Sequence, residues 1–174
     1  MDYYALPDER HTELIDGCFY DMASPTSTHQ DILLALAFEF ELYIRSNKGS
    51  CKVLVAPLDV QLDMDDRTIV QPDIVVVCKK EIIMEQKIFG APDLCIEIVS
   101  DSTRKLDYGL KNSRYMNAGV REYWIVDAKR EKVVCYNFEG EDYPVIYSFD
   151  DIVPVHIYDA KLEIDFSQIK ERLL

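Results

Sequence analysis

Apolar and polar positions follow two periods along the chain, and the switches between them mark out its elements. Residues 12–15 and 18–22 are short mixed runs flanking Asp16-Gly17, a dipeptide that favours a tight hairpin turn. Ser24-Pro25-Thr26-Ser27 reads as a turn, and Ser27 with Gln30 has the spacing of a capping box opening a helix near Thr28. Ile32, Leu36 and Phe40, with Leu33, Ala37 and Ile44, recur at helical spacing to about Ser46, and Gly49 suits the stop. That helix is apolar on most faces, so it should lie between a sheet and a second surface, for which a partner subunit is one candidate.

Strand-like runs follow at residues 51–55 and 58–62, broken at Pro57, and residues 63–67 form an exposed acidic turn. Residues 70–77 and 92–100 are runs rich in Val and Ile, both read as buried strands, with a short helix or irregular connector over 79–90 between them. Ser100-Asp101-Ser102-Thr103 caps a second helix over 104–118, closed by Gly119. Further strands are expected at 120–126, 132–136, 145–149 and 162–166, and Ser167 caps a short last helix. The pattern predicts an α+β (mixed α/β) fold: a central mixed β-sheet flanked by helices, with an N-terminal hairpin and extra C-terminal strands.

Two acids interrupt the buried runs. Asp73 heads one, and Glu97 lies inside the other, on the strand face shared by Cys95 and Val99. Carboxylates are seldom buried unless paired or holding a metal. If the two strands pair, both can reach one cation, and Mg²⁺ commonly takes one or two protein carboxylates with water and phosphate oxygens completing its shell. On the helix after Glu97, Lys111 shares its inward stripe with Tyr108, Tyr115 and Ala118, so its ammonium can reach whatever the acids hold. Taken alone, a helix lysine more often forms an exposed pair, here with Asp107; the two acids reverse that weighting.

Composition narrows the picture. A chain of 174 residues, 48% hydrophobic and 29% charged, suits one soluble domain over residues 1–174. No run is long enough to span a membrane, and Met1-Asp2-Tyr3-Tyr4 lacks signal-peptide character, so a cytoplasmic protein is expected. Five scattered cysteines without a CxxC pair suggest reduced core thiols, with neither a disulfide frame nor a zinc site. The net charge of −13 argues against a dedicated sequence-reading DNA binder, although a local cluster or divalent ions can reverse the potential in a cleft.

Several other residues weigh towards ordinary roles. His29 suits a capping or core histidine, and Glu39 a helix acid at a solvent or subunit boundary. Ser100, Ser102 and Thr103 suit capping, Tyr123 and Trp124 the sheet core, and Asp93 a turn.

The order Pro72-Asp73, Glu97 in an apolar strand, then a lysine resembles the PD-(D/E)xK nuclease superfamily. Within it the chain resembles the Uma family, described as "putative restriction endonucleases", over about residues 11 to 137. The matching segments include Glu13-Leu14-Ile15-Asp16-Gly17, Pro25 with His29, Ala56-Pro57-Leu58-Asp59-Val60, Val70-Gln71-Pro72-Asp73 and Gly90-Ala91-Pro92-Asp93-Leu94. They continue with Glu97-Ile98-Val99-Ser100, Ser102-Thr103-Arg104, Asp107, Lys111, Tyr115 and the run from Gly119 to Asp127, which is specific.

The resemblance implies a restriction-endonuclease-like core and a hydrolase acting on ester bonds. Its activity would be metal-dependent DNA endonuclease cleavage by metal-activated water, with Mg²⁺ as cofactor or Mn²⁺ in its place. Asp73 and Glu97 would be metal ligands, Lys111 the third catalytic residue, and Glu13 an accessory acid. One departure is plain: Val99 stands two residues after Glu97, where the superfamily has lysine, and the family's lysine lies on the following helix. DNA would be bound weakly and through metal, and cutting both strands would suit a homodimer. The competing reading is a catalytically inactive nuclease-fold protein acting as a protein-interaction module.

Overall fold

The Glu97 strand lies inside a six-stranded sheet, next to the strand headed by Asp73. The computed structural model describes residues 3–5, 12–63, 65–140 and 143–173; Met1, Asp2 and Met64, touched on above, lie outside the described residues. In chain order the elements are β1 (Thr12–Ile15), β2 (Cys18–Asp21), α1 (Ser27–Ser46), β3 (Lys52–Val55), β4 (Asp59–Gln61), β5 (Ile69–Val70), β6 (Ile74–Val77), β7 (Lys87–Phe89) and β8 (Leu94–Ile98). After β8 come α2 (Asn112–Ala118), β9 (Glu122–Asp127), β10 (Lys132–Asn137), β11 (Val145–Ser148), β12 (Ile152–Pro154), β13 (Glu163–Asp165) and α3 (Phe166–Lys170).

The larger sheet runs β11-β10-β9-β8-β6-β3, with β8 and β9 parallel. A second sheet runs β2-β1-β5-β4-β7, and β12 pairs with β13. Strand alternation divides the large sheet into two packed faces. Ile74, Val76, Leu94, Ile96 and Ile98 face α1 and the C-terminal elements. Val75, Val77, Cys95 and Val99 face the second sheet and α2. Trp124 and Tyr123 are fully buried on opposite faces. Among the described residues, no helix is long and apolar enough to cross a membrane.

Several expectations are corrected. The run at 70–77 is two strands: β5 belongs to the small sheet and β6 to the large one, and Gln71-Pro72-Asp73 crosses between them. Proline has no N–H for a ladder, so the break falls there. The connector over 79–90 ends in β7, which pairs parallel with β4, and β12 is a further strand. Both are three residues long, too short to show a period. Thr26, not Ser27, caps α1, its hydroxyl accepting from the His29 N–H at 3.2 Å. Lys48 takes the left-handed conformation after that helix, where Gly49 was expected to serve. Asp165, rather than Ser167, caps α3.

Cys51 and Cys78 form a disulfide, against the expectation of reduced thiols; Cys18, Cys95 and Cys135 are free. The reason lies in the register. β3 and β6 are antiparallel with Lys52 opposite Val77, so one step further Cys51 faces Cys78.

The Asp16-Gly17 hairpin forms as expected, with positive φ at both turn residues (55° and 79°). A Cβ at Gly17 would meet nothing within 4 Å, so only the backbone conformation resists substitution. Gly17→Ala is expected to cost about 1–2 kcal/mol in urea unfolding.

Candidate active site

The seam between the two sheets brings the acids together. On the large sheet, β6 and β8 pair antiparallel with Ile74 opposite Ile96, so the next step sets Asp73 across from Glu97. From the small sheet, β1 contributes Glu13, held in the interior of that sheet between β2 and β5. The helix between β8 and β9 contributes the cation. Its first part, Leu106–Lys111, is π-helical before α2 begins. The wider turn buries Asp107 and Lys111, and such bulges often accompany functional sites.

Lys111 lies at the centre. Its Nζ is 2.8 Å from Glu13 Oε1, 3.0 Å from Glu97 Oε1 and 3.6 Å from Asp107 Oδ1. Glu97 Oε1 also accepts the Tyr115 hydroxyl at 2.6 Å. Glu13 Oε1 accepts the backbone N–H of Gln71 at 2.8 Å, and Asp73 Oδ2 that of Ile98 at 2.7 Å. The other Asp73 oxygen is 2.9 Å from His29 Nε2, which reaches in from the first turn of α1. These groups line a cleft of about 600 Å³ whose rim includes Arg104 and Lys129. Arg104 pairs with Asp127 and Asp101, and Lys129 with Asp101.

The electrostatics follow from burial and crowding. Removal from water pushes the Glu97 carboxyl well above the usual range; Lys111 pulls it down, while Asp107, Asp73 and Glu13 push it further up. Burial likewise raises Asp107. Burial opposes the charge on Lys111, but Glu97, Glu13 and Asp107 outweigh it and hold the ammonium protonated. Tyr115 is pushed up by burial and by Glu97, so its hydroxyl keeps its proton as a donor.

Four carboxylates against one ammonium leave a formal surplus of negative charge. Asp107 Oδ1 is buried without a hydrogen bond, and so is His29 Nδ1. Among the described residues, no three His, Cys, Asp or Glu side chains are gathered as a ready-made metal cage. Two carboxylates on an open cleft nevertheless fit Mg²⁺, which keeps several waters.

A family model described as "Putative restriction endonuclease", Uma2, matches residues 1–160. The chain belongs to the Uma2 family. Among solved structures, it is similar to a "putative nuclease belonging to DUF820" from Anabaena variabilis ATCC 29413, at 20% identity over 99% of this chain and 97% of that one. The TM-score of 0.81 marks a shared fold. No curated protein matches the chain.

In this Uma2 protein, then, the cleft joins Glu13, Asp73, Glu97 and Lys111, all four singled out in the sequence. Glu13 is buried in the interior of its sheet, and the Asp107–Lys111 pair is buried instead of exposed. Tyr108, expected beside Lys111, is only partly buried; the π-helical turn brings Asp107 inward instead. Glu39 does not line the cleft. Asp93 stands in the bend ahead of β8, as expected, and is buried there: its carboxylate accepts the Cys78 N–H at 2.7 Å and pairs with Arg121. His29, Asp107 and the Tyr115 hydroxyl were underrated. Asp107 and Tyr115 carried a usable signal, each four residues from Lys111; His29 stood among the segments of the family resemblance but carried none in its local spacing, because it reaches Asp73 across the fold.

Proposed function

We propose that this protein is a metal-dependent endonuclease hydrolysing DNA phosphodiester bonds, with Mg²⁺ or Mn²⁺ held by Asp73 and Glu97. The observation that carries the reading is a buried lysine bound to two carboxylates, beside a third acid opposite Glu97, in an open cleft. A divalent ion bound there would neutralise charge on a phosphodiester and make water a better nucleophile.

The chain's own groups have separate tasks. Lys111, fixed by Glu13 and Glu97, offers positive charge to the scissile phosphate as negative charge develops on it. Tyr115 and the Gln71 N–H fix the two glutamates, and His29 orients Asp73. Arg104 and Lys129 at the rim suit the flanking phosphates of a DNA strand, contacts that position without reading sequence. With a net charge of −13, association with DNA should be weak and should depend on the metal.

One observation favours the second reading, a non-catalytic interaction module: Lys111 already supplies a counter-ion to Glu13 and Glu97. Mg²⁺ or Mn²⁺ titrated into wild type and Asp73→Asn, read by thermal melting and by nicking of plasmid DNA, separates the two. Wild type should gain about 2.7 kcal/mol at one hundred times Kd and should nick DNA; Asp73→Asn should do neither. Equal stabilisation of both proteins with no nicking supports the module.

A further inference from the structure

Away from the cleft, one face of α1 carries an apolar stripe that nothing covers among the described residues. Leu34, Phe38 and Leu42 are 62%, 58% and 47% exposed, one above the other at intervals of four. The opposite face, with Ile32, Leu36 and Phe40, is buried in the core, so the stripe is presented on a fixed helix. Asp31 and Arg45 bracket it, and neither side chain has an ion pair or hydrogen bond among the described residues.

From Asp31 to Arg45 the steps are three, four, four and three residues, the same read from either end. The charges at the two ends are opposite. We propose that this stripe is a homodimer interface, in which α1 packs antiparallel on α1 of a second copy about a two-fold axis at Phe38.

That axis sets Phe38 on Phe38, Leu34 on Leu42 twice, and Asp31 on Arg45 twice. A parallel arrangement would instead oppose Asp31 to Asp31 and Arg45 to Arg45, so charge selects the antiparallel one. Rows of side chains at intervals of four, such as Leu34, Phe38 and Leu42, interlock with their like in the commonest class of helix packing, at a crossing angle of about −50°. A two-fold contact must be self-complementary, and the palindrome meets that demand; an unrelated partner would impose no such symmetry. His29 lies nine residues before Phe38, so the axis would hold the two clefts' histidines roughly 27 Å apart along the helix direction. The interface stands whether or not the cleft cuts DNA.

Sedimentation equilibrium of the full chain tests it. Wild type should dimerise with Kd in the micromolar range, as a small interface allows. Phe38→Glu should sediment as a monomer with an unchanged circular dichroism spectrum. Asp31→Arg and Arg45→Asp should each weaken the dimer roughly tenfold, because each sets like charges together. An equimolar mixture of those two variants should recover it as a heterodimer, since every pair is then of opposite sign. A monomeric wild type, a dimer that survives Phe38→Glu, or a mixture no tighter than its components would overturn the proposal.

Discussion

Lys111→Ala is expected to lose metal-dependent DNA cleavage by about 10³-fold, the scale seen when one group stabilising developing charge is removed. The same change should also destabilise the fold. Lys111 is buried and bound to Glu13, Glu97 and Asp107, so its loss leaves three carboxylates out of water without a counter-charge. Breaking a buried pair in this way costs about 3–5 kcal/mol, and the variant should unfold at correspondingly lower urea. Adding Glu13→Gln to Lys111→Ala removes one of the stranded charges. The double variant should regain part of the stability and none of the cleavage, which separates loss of chemistry from loss of structure. Cleavage at wild-type rate by folded Lys111→Ala would reject the role given to the lysine.

The second large effect has the opposite sign. Glu97 is pushed well above the usual carboxylate range, chiefly by burial, with Lys111 opposing and three neighbouring acids reinforcing. The folded chain therefore holds this proton to higher pH than the unfolded chain, where glutamate titrates near about 4.3. The stability that Glu97 contributes is fully present below that value and is lost as pH rises through its folded pKa. Glutamine is locked in the neutral form and still accepts the Tyr115 hydroxyl. In chelator, Glu97→Gln should melt above wild type at pH 8, and the gap should close at and below the unfolded pKa. The same variant should lose the Mg²⁺-induced rise and the nicking of plasmid DNA. A Glu97→Gln melting point below wild type at pH 8 would mean that attraction to Lys111 outweighs burial.

What could be read in the sequence follows from how far each signal reaches. Alternation along residues 94–99 correctly assigned Cys95, Glu97 and Val99 to one face, because a strand's period is local. Helical spacing aimed Lys111 inward for the same reason, although it could not foresee the π-helical turn. The break of 70–77 into β5 and β6 was present as Pro72, but the neighbouring valines outweighed it. The Cys51–Cys78 pair depends on the register of two strands and joins residues 27 apart, and His29 depends on a contact across 44; neither has a local pattern. Strands as short as β7 and β12 are set by their neighbours rather than by their own residues.

The crossing at Gln71-Pro72-Asp73 has one more consequence. Where the chain leaves one sheet for the other, Glu13 holds the Gln71 amide and Asp73 holds the Ile98 amide. Glu13 therefore ties the crossing to the small sheet and Asp73 ties it to the large one, whatever the cleft does. A relative with an inactive cleft would still use both to hold the two ends of the crossing to their own sheets. Finding Glu13 and Asp73 in a relative thus says that the fold is intact, whereas the partners of its lysine say whether the cleft still has work to do.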